Sequence, residues 1–207
     1  KESLCRSHIC IINAIIRNRK CKRLPTFACF VDFEKAFDRI DRNLLYHKLR
    51  KAGFVGNFLN SILTLYHDYK CLVNINEFLT DSFNSDFGVR QGDVISPTLF
   101  NLFINDLVTD VKSETSGIVC GESRIHCLLY ADDLVLISEN EDDLQNMLNV
   151  LEKWCVDWKM KANVNKTKVM HFRPGGREQT AFNFRLGNSR VDIVDTYKYL
   201  GIVMHYS

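Results

Sequence analysis

Two adjacent aspartates set between apolar runs constrain this chain more than any other feature. Residues 127–130 (Cys-Leu-Leu-Tyr) and 134–137 (Leu-Val-Leu-Ile) are short runs rich in β-formers, and Ala131, Asp132 and Asp133 lie between them. The pattern predicts a buried hairpin with the acids at its turn. Neighbouring carboxylates repel when both are ionised, and holding them beside buried strands costs several kcal/mol unless positive charge is present. A divalent metal would meet that need. A polar β-turn, in which Asp is common, would also account for the pair taken alone.

A third carboxylate narrows the choice. Residues 26–31 (Thr-Phe-Ala-Cys-Phe-Val) read as an apolar strand that ends in Asp32, with a tight turn and a helical pattern after Asp38. If this strand neighbours the hairpin in one sheet, Asp32 meets Asp132 and Asp133. Three carboxylates around one point can hold two Mg²⁺ ions, hard cations that prefer oxygen ligands. Two such ions roughly 3.5–4 Å apart serve in-line phosphoryl displacement.

Five segments then occur in order: residues 30–38 (Phe-Val-Asp-Phe-Glu-Lys-Ala-Phe-Asp), 90–101 beginning Arg-Gln-Gly-Asp, the Tyr130-Ala131-Asp132-Asp133 turn, 163–167 (Asn-Val-Asn-Lys-Thr) and 197–201 (Tyr-Lys-Tyr-Leu-Gly). Together they resemble the successive palm motifs of reverse transcriptases, in the variant of non-LTR (LINE-type) retrotransposons, from about residue 6 to the C terminus. The resemblance implies an α+β right-hand polymerase palm: an antiparallel sheet with helices packed on one face, plus partial fingers. It implies a domain fragment over residues 1–207, truncated at both ends, with a fingers remnant at about 1–26 and 43–91 and palm at about 27–42 and 92–207.

The activity so implied is RNA-directed DNA polymerisation, with dNTP, RNA template and DNA primer as partners and two Mg²⁺ ions as cofactor, Mn²⁺ being the substitute. By the same resemblance Asp32, Asp132, Asp133 and the Phe33 carbonyl hold the metals. Lys166 lies near the departing pyrophosphate as general acid. Phe33, Lys35, Ala36, Phe37, Gln91 and Gly92 contact the nucleotide, with Phe37 packing under the sugar to exclude a 2′-hydroxyl. Tyr130, Tyr199, Leu200 and Gly201 contact the primer end. An endonuclease fused on the same polypeptide, cytoplasmic synthesis and nuclear action complete what the resemblance implies. The rival readings are a truncated or decayed copy that only binds nucleic acid, a structural domain that keeps the fold alone, and a polymerase copying RNA into RNA, against which Phe37 argues.

Composition agrees with an intracellular globular chain: 46% hydrophobic and 25% charged residues over 207 positions, no membrane-length apolar run and no signal-peptide pattern. Eight cysteines without a Cys-x-x-Cys favour free thiols. Cys5, His8 and Cys10 lack a matching second pair and read as a helix face. The net charge of +2 conceals segregation. Residues 1–26 and 159–177 each carry +6, whereas 27–158 carry −10. Such a chain suits metal ions at its centre and a polyanion alongside, although solvated helix faces would look the same.

Local patterns predict further elements. A basic helix follows Ser7 with Ile9, Ile12, Ile15 and Ile16 on one face. Asp38 and Asp41 are both placed to cap the next helix, and Phe58, Leu59, Ile62, Leu63 and Tyr66 stripe another. Residues 70–77 and 82–89 alternate as a strand pair. Ser96-Pro97 opens a helix striped by Leu99, Phe100, Phe103, Ile104, Leu107 and Val111. Ser138 and Glu141 fit a capping box before a helix whose Trp154 and Trp158 belong to its core face.

Overall fold

The computed structural model describes residues 2–67 and 69–206, with side chains from residue 7 onward. The chain divides into two compact units, Lys1–Glu34 with Asp106–Ser207, and Lys35–Asn105.

The first unit is built on a five-stranded sheet. Its order is Asp192–Ile193, Lys168–Phe172, Thr26–Val31, Asp133–Ser138 and Cys127–Tyr130. Thr26–Val31 is central and buried at every position, as its unbroken apolar run requires. Both of its neighbours pair with it antiparallel, with Thr26 opposite Phe172 and Val31 opposite Leu134. Only Asp192–Ile193 joins in parallel.

Alternation along the strands makes two faces. On one, Ala28, Phe30, Val135, Ile137, Met170 and Phe172 cluster with Ile12, Ile15 and Ile16 of α1 (Glu2–Cys21) and with Tyr199 and Met204. Those last two belong to the hairpin Thr196–Tyr199/Ile202–His205. The other face receives the last helix, Glu141–Asp157, whose Trp154 meets Phe33 edge-on at 6.3 Å. Helices therefore cover both faces rather than one. Helix α1, expected with the fingers remnant, lies on the sheet because its isoleucine stripe needs an apolar partner and the Phe30 face of the sheet supplies one.

In the second unit, α2 (Arg42–Lys51) and α3 (Gly56–Tyr66) precede short strand pairs, Lys70–Cys71 with Phe83–Asn84 and Asn74–Ile75 with Phe78–Leu79. The expected strand over 70–77 is thus broken by a two-residue turn at Asn76 and Glu77, both at positive φ. Helix α4 (Ser96–Glu114) carries the predicted stripe, and α5 (Glu141–Asp157) completes the set.

Three capping expectations change. Asp41 alone caps α2, accepting from Asn43 N at 2.9 Å and Leu44 N at 3.2 Å, while Asp38 accepts from Gln91 Nε2 at 2.8 Å. Asn140, not Ser138, caps α5, and Ser138 donates to the Asn140 carbonyl and to Asp143. Ser7 lies inside α1 rather than before it. Trp154 is core and donates to Asp106 Oδ1 at 2.8 Å. The seven described cysteines are free, and the Cys5 side chain lies outside the described residues. No helix among the described residues is long and apolar enough to cross a membrane.

His171 ties the sheet to the following loop. Its ring stacks on Phe27 at 4.3 Å and its Nδ1 accepts from Thr180 N at 3.1 Å, while Nε2 is buried without a hydrogen-bond partner. Burial lowers its pKa, the Arg173 charge lowers it further with Arg177 adding to this, and Glu141 opposes them. The unfolded chain therefore binds the proton more readily than the native one. Stability is full above the unfolded value of about 6.5 and falls as pH drops through the lower native value. In thermal unfolding between about pH 7.5 and 5.5, the loss of melting temperature should be smaller in His171→Gln than in the parent chain.

Candidate active site

The central strand carries its C-terminal residue to one edge of the sheet. Asp32 donates its N–H to Thr167 Oγ1 at 3.2 Å, and its carbonyl accepts from Asn163 N at 2.7 Å. Glu34 N reaches the Lys161 carbonyl at 2.8 Å, so Phe33 and Ala162 form an isolated antiparallel bridge. In such a pair, alternate residues direct their backbone groups to opposite sides. The Phe33 carbonyl therefore points to the side on which the Asp133–Ser138 strand lies, toward the hairpin turn.

That hairpin is the one predicted, with Tyr130 opposite Asp133 and a two-residue turn of Ala131 and Asp132. Ala131 holds φ 52°, a left-handed conformation that costs a non-glycine residue about 1–2 kcal/mol. Because Val31 pairs with Leu134, Asp32 and Asp133 fall on the same face of the sheet, the face of Phe30.

Asp133 senses the other two acids. Burial pushes the Asp133 carboxyl above its ordinary pKa, and the negative charges of Asp132 and then Asp32 push it further. They are not drawn to one point: among the described residues no three His, Cys, Asp or Glu side chains are grouped closely enough to hold an ion. Lys166 Nζ lies 3.7 Å from Asp32 Oδ2, with both side chains partly in solvent. Such a pair contributes no more than about 1 kcal/mol, and it shows that a cation is accommodated beside the acid.

Tyr197 is the neighbour that sequence reasoning missed. It stacks on Phe30 at 4.6 Å and 19°, and its phenol pKa is raised by burial and then by Asp32 and Asp133. The available signal was period two: Tyr197 shares a side with Tyr199. Tyr199, expected at the primer, is instead buried in the core against Phe30 at 5.3 Å. Leu200 and Gly201 form the turn of that hairpin at φ 46° and 83°, and Tyr130 is half-buried against His8.

The remaining expected residues belong to the second unit. Lys35 is exposed at φ 50°, Ala36 is buried, and Phe37 stacks on Phe100 at 4.7 Å. Gln91 is exposed on Asp38, and Gly92 holds φ 88° with open space around a notional Cβ. Before them, Gly88 cannot carry a side chain, since a Cβ would lie 2.9 Å from the Asp38 backbone. Arg42, also unforeseen, clamps this loop by donating to the carbonyls of Gly88 at 2.8 Å, Phe87 at 3.0 Å and Ser85. It is buried, with Tyr66 and Tyr69 beside its guanidinium, and lines a cavity of about 690 Å³ with Asp38 and Gln91.

A domain of this fold, with three acids on one sheet edge, is of the class that handles nucleotidyl transfer, and the comparisons agree. Residues 6–204 match the model of the family described as Reverse transcriptase (RNA-dependent DNA polymerase), and the chain belongs to that family. It is 28% identical over 201 residues to the Pol polyprotein of the type-1 retrotransposable element R2 of Nasonia vitripennis, covering 93% of this chain and 20% of that protein. Against the RNA-directed DNA polymerase from mobile element jockey of Drosophila funebris it is 27% identical over 186 residues, covering 87% and 20%. These relatives are non-LTR retrotransposon polymerases, and the chain spans about a fifth of their length. An apo telomerase structure from Candida tropicalis superposes with a TM-score of 0.64 at 15% identity, over 99% of this chain and 38% of that one, which establishes a palm and fingers polymerase fold.

Thr167 is fully buried, and its hydroxyl is the partner of the Asp32 N–H. Thr167→Val keeps the volume and removes that acceptor, so urea unfolding should show a loss of about 1–2 kcal/mol, while Thr167→Ser should stay close to the parent.

Proposed function

We propose that this domain catalyses RNA-templated addition of deoxynucleotides to a DNA primer, with Asp32, Asp132, Asp133 and the Phe33 carbonyl holding two Mg²⁺ ions, or Mn²⁺ in their place. The observation that supports this reading is the register: Asp32 and Asp133 fall on one face of the sheet next to the Ala131–Asp132 turn, and burial with the charges of Asp132 and Asp32 raises the Asp133 pKa. The donor set is oxygen throughout, which fits a hard divalent cation. Reverse transcriptases generally use a divalent metal. When bound, the ions supply Lewis-acid activation of the primer 3′-hydroxyl and charge stabilisation for the leaving pyrophosphate.

The chain's own residues do the rest. Lys166, beside Asp32, is placed to give a proton to the departing pyrophosphate. Phe37, braced by Phe100, excludes a ribose 2′-hydroxyl, and Lys35, Ala36, Gln91 and Gly92 position the nucleotide. Tyr130 with the Leu200–Gly201 turn holds the primer end, and Tyr199 acts by anchoring that hairpin in the core. In the parent polypeptide the domain is joined to an endonuclease, and it acts on nuclear DNA after synthesis in the cytosol.

Primer extension on poly(rA)/oligo(dT) with Mg²⁺ tests this, using the chain and its longer parent polypeptide. Asp132→Asn should lower dTTP incorporation by about a thousandfold, roughly 4 kcal/mol of barrier. Duplex binding that weakens with salt, without any incorporation by the longer polypeptide, would favour the nucleic-acid-binding reading instead. Phe37→Val should reduce discrimination against ribonucleotides by about tenfold or more in competition assays, since it opens the space a 2′-hydroxyl needs.

A further inference from the structure

The two basic segments of the sequence, about 150 positions apart, meet at one place in the first unit. Lys20 and Arg23 from the end of α1 and Arg173 and Arg177 from the loop after Lys168–Phe172 line a cavity of about 610 Å³, with Pro174 and Gly175 between them. This is within the size range of ligand sites. Thr26 pairs with Phe172 at this end of the sheet, whereas Asp32 leaves the opposite end. Six residues of strand at about 3.3 Å each separate the two, so the cleft lies about 20 Å from the acids.

Arg173 and the end of α1 are held in place. Arg19, buried, donates to the Pro25 carbonyl at 2.8 Å and to Thr26 Oγ1 at 2.9 Å, and pairs with Glu139 at 3.0 Å, which fastens the end of α1 to the sheet. Arg173 is fixed by Asp195 at 3.2 Å and lies over the Tyr206 ring at 3.8 Å. Lys20, Arg23 and Arg177 have no acidic partner among the described residues.

Helix α1 ends in a Schellman pattern, with Leu24 N donating to the Arg19 carbonyl at 2.9 Å and Arg23 N to Lys20 at 2.9 Å. Arg23 takes the left-handed position at φ 58°, where glycine is the favoured residue. A cationic side chain thus occupies a site at which the backbone favours none. Like charges crowded into one cleft repel, and an anion with repeated charges relieves all of them together.

We propose that this cleft, lined by Lys20, Arg23, Arg173 and Arg177, binds the sugar–phosphate backbone of a nucleic-acid strand at the end of the sheet remote from the three acids. The contact deepens the functional reading above by adding a second grip on the same polymer. It concerns binding alone, so a chain that adds no nucleotide can still show it.

Fluorescence anisotropy with the full 207-residue chain tests the proposal, using labelled single strands of about 15 nucleotides, RNA and DNA of one sequence. Arg23→Glu/Arg177→Glu should raise Kd about tenfold or more. It should also lower the slope of log affinity against log salt by about 1–2 between roughly 50 and 200 mM, since each phosphate contact contributes about 0.7. Lys153→Glu/Arg190→Glu makes the same change in net charge on exposed residues outside the cleft and should shift Kd by less than about twofold. Arg23→Gly should raise the melting temperature yet weaken binding, opposite signs that a purely structural arginine would not give. Loss with RNA alone assigns the cleft to the template, loss with DNA alone to the DNA strand, and loss with both to the shared backbone. The proposal is overturned if the cleft variant binds both strands as the parent does, or loses no more than the control variant.

Discussion

The register of one buried strand governs the site. Thr26–Val31 is sealed between two antiparallel neighbours, and the pairing of Val31 with Leu134 puts Asp32 beside Asp133 on one face. A slip of a single residue would send Asp32 to the other face and expose Phe30 to the wrong layer. The isoleucines of α1 and the Tyr199 hairpin on one side, and α5 on the other, hold that register from both faces. Their burial thereby opposes the electrostatic cost of gathering carboxylates at the strand's end.

Charge is distributed along the sheet in a way that follows from this. The acid end gathers Asp32, Asp132 and Asp133, with Lys166 beside Asp32. The opposite end gathers arginines from two remote segments. A net charge of +2 says nothing of such a gradient, because segregation rather than sum decides where a cation or a polyanion is attracted.

Much of the first unit was legible because its signals are local. Apolar runs marked the central strand and the hairpin, and helical spacing marked the stripes of α1, α4 and α5. Side chains that act through tertiary contacts were not legible. Asp38 looks as good a cap as Asp41 until Gln91 from a remote loop takes it. Asn140 replaces Ser138 as the cap of α5 because Ser138 is the last residue of a strand and is committed to the ladder. Arg42 belongs to no sequence motif, and only its bonds to the loop carbonyls of Ser85, Phe87 and Gly88 reveal its role. Tyr199 carries the more obvious motif position, yet it is buried in the core, and the phenol that feels the Asp32 and Asp133 charges is that of Tyr197.

The sequence by itself determined which residues could be strand, helix and turn, and that three acids stood at strand ends, since period-two and period-3.6 patterns follow from backbone geometry alone. Tertiary structure decided which strands became neighbours, which face each acid took, and that residues 20–23 and 173–177 would share a cleft. Strand order and long-range pairing are selected by the packing of whole layers, and no local window of sequence contains the partner that a buried face will meet.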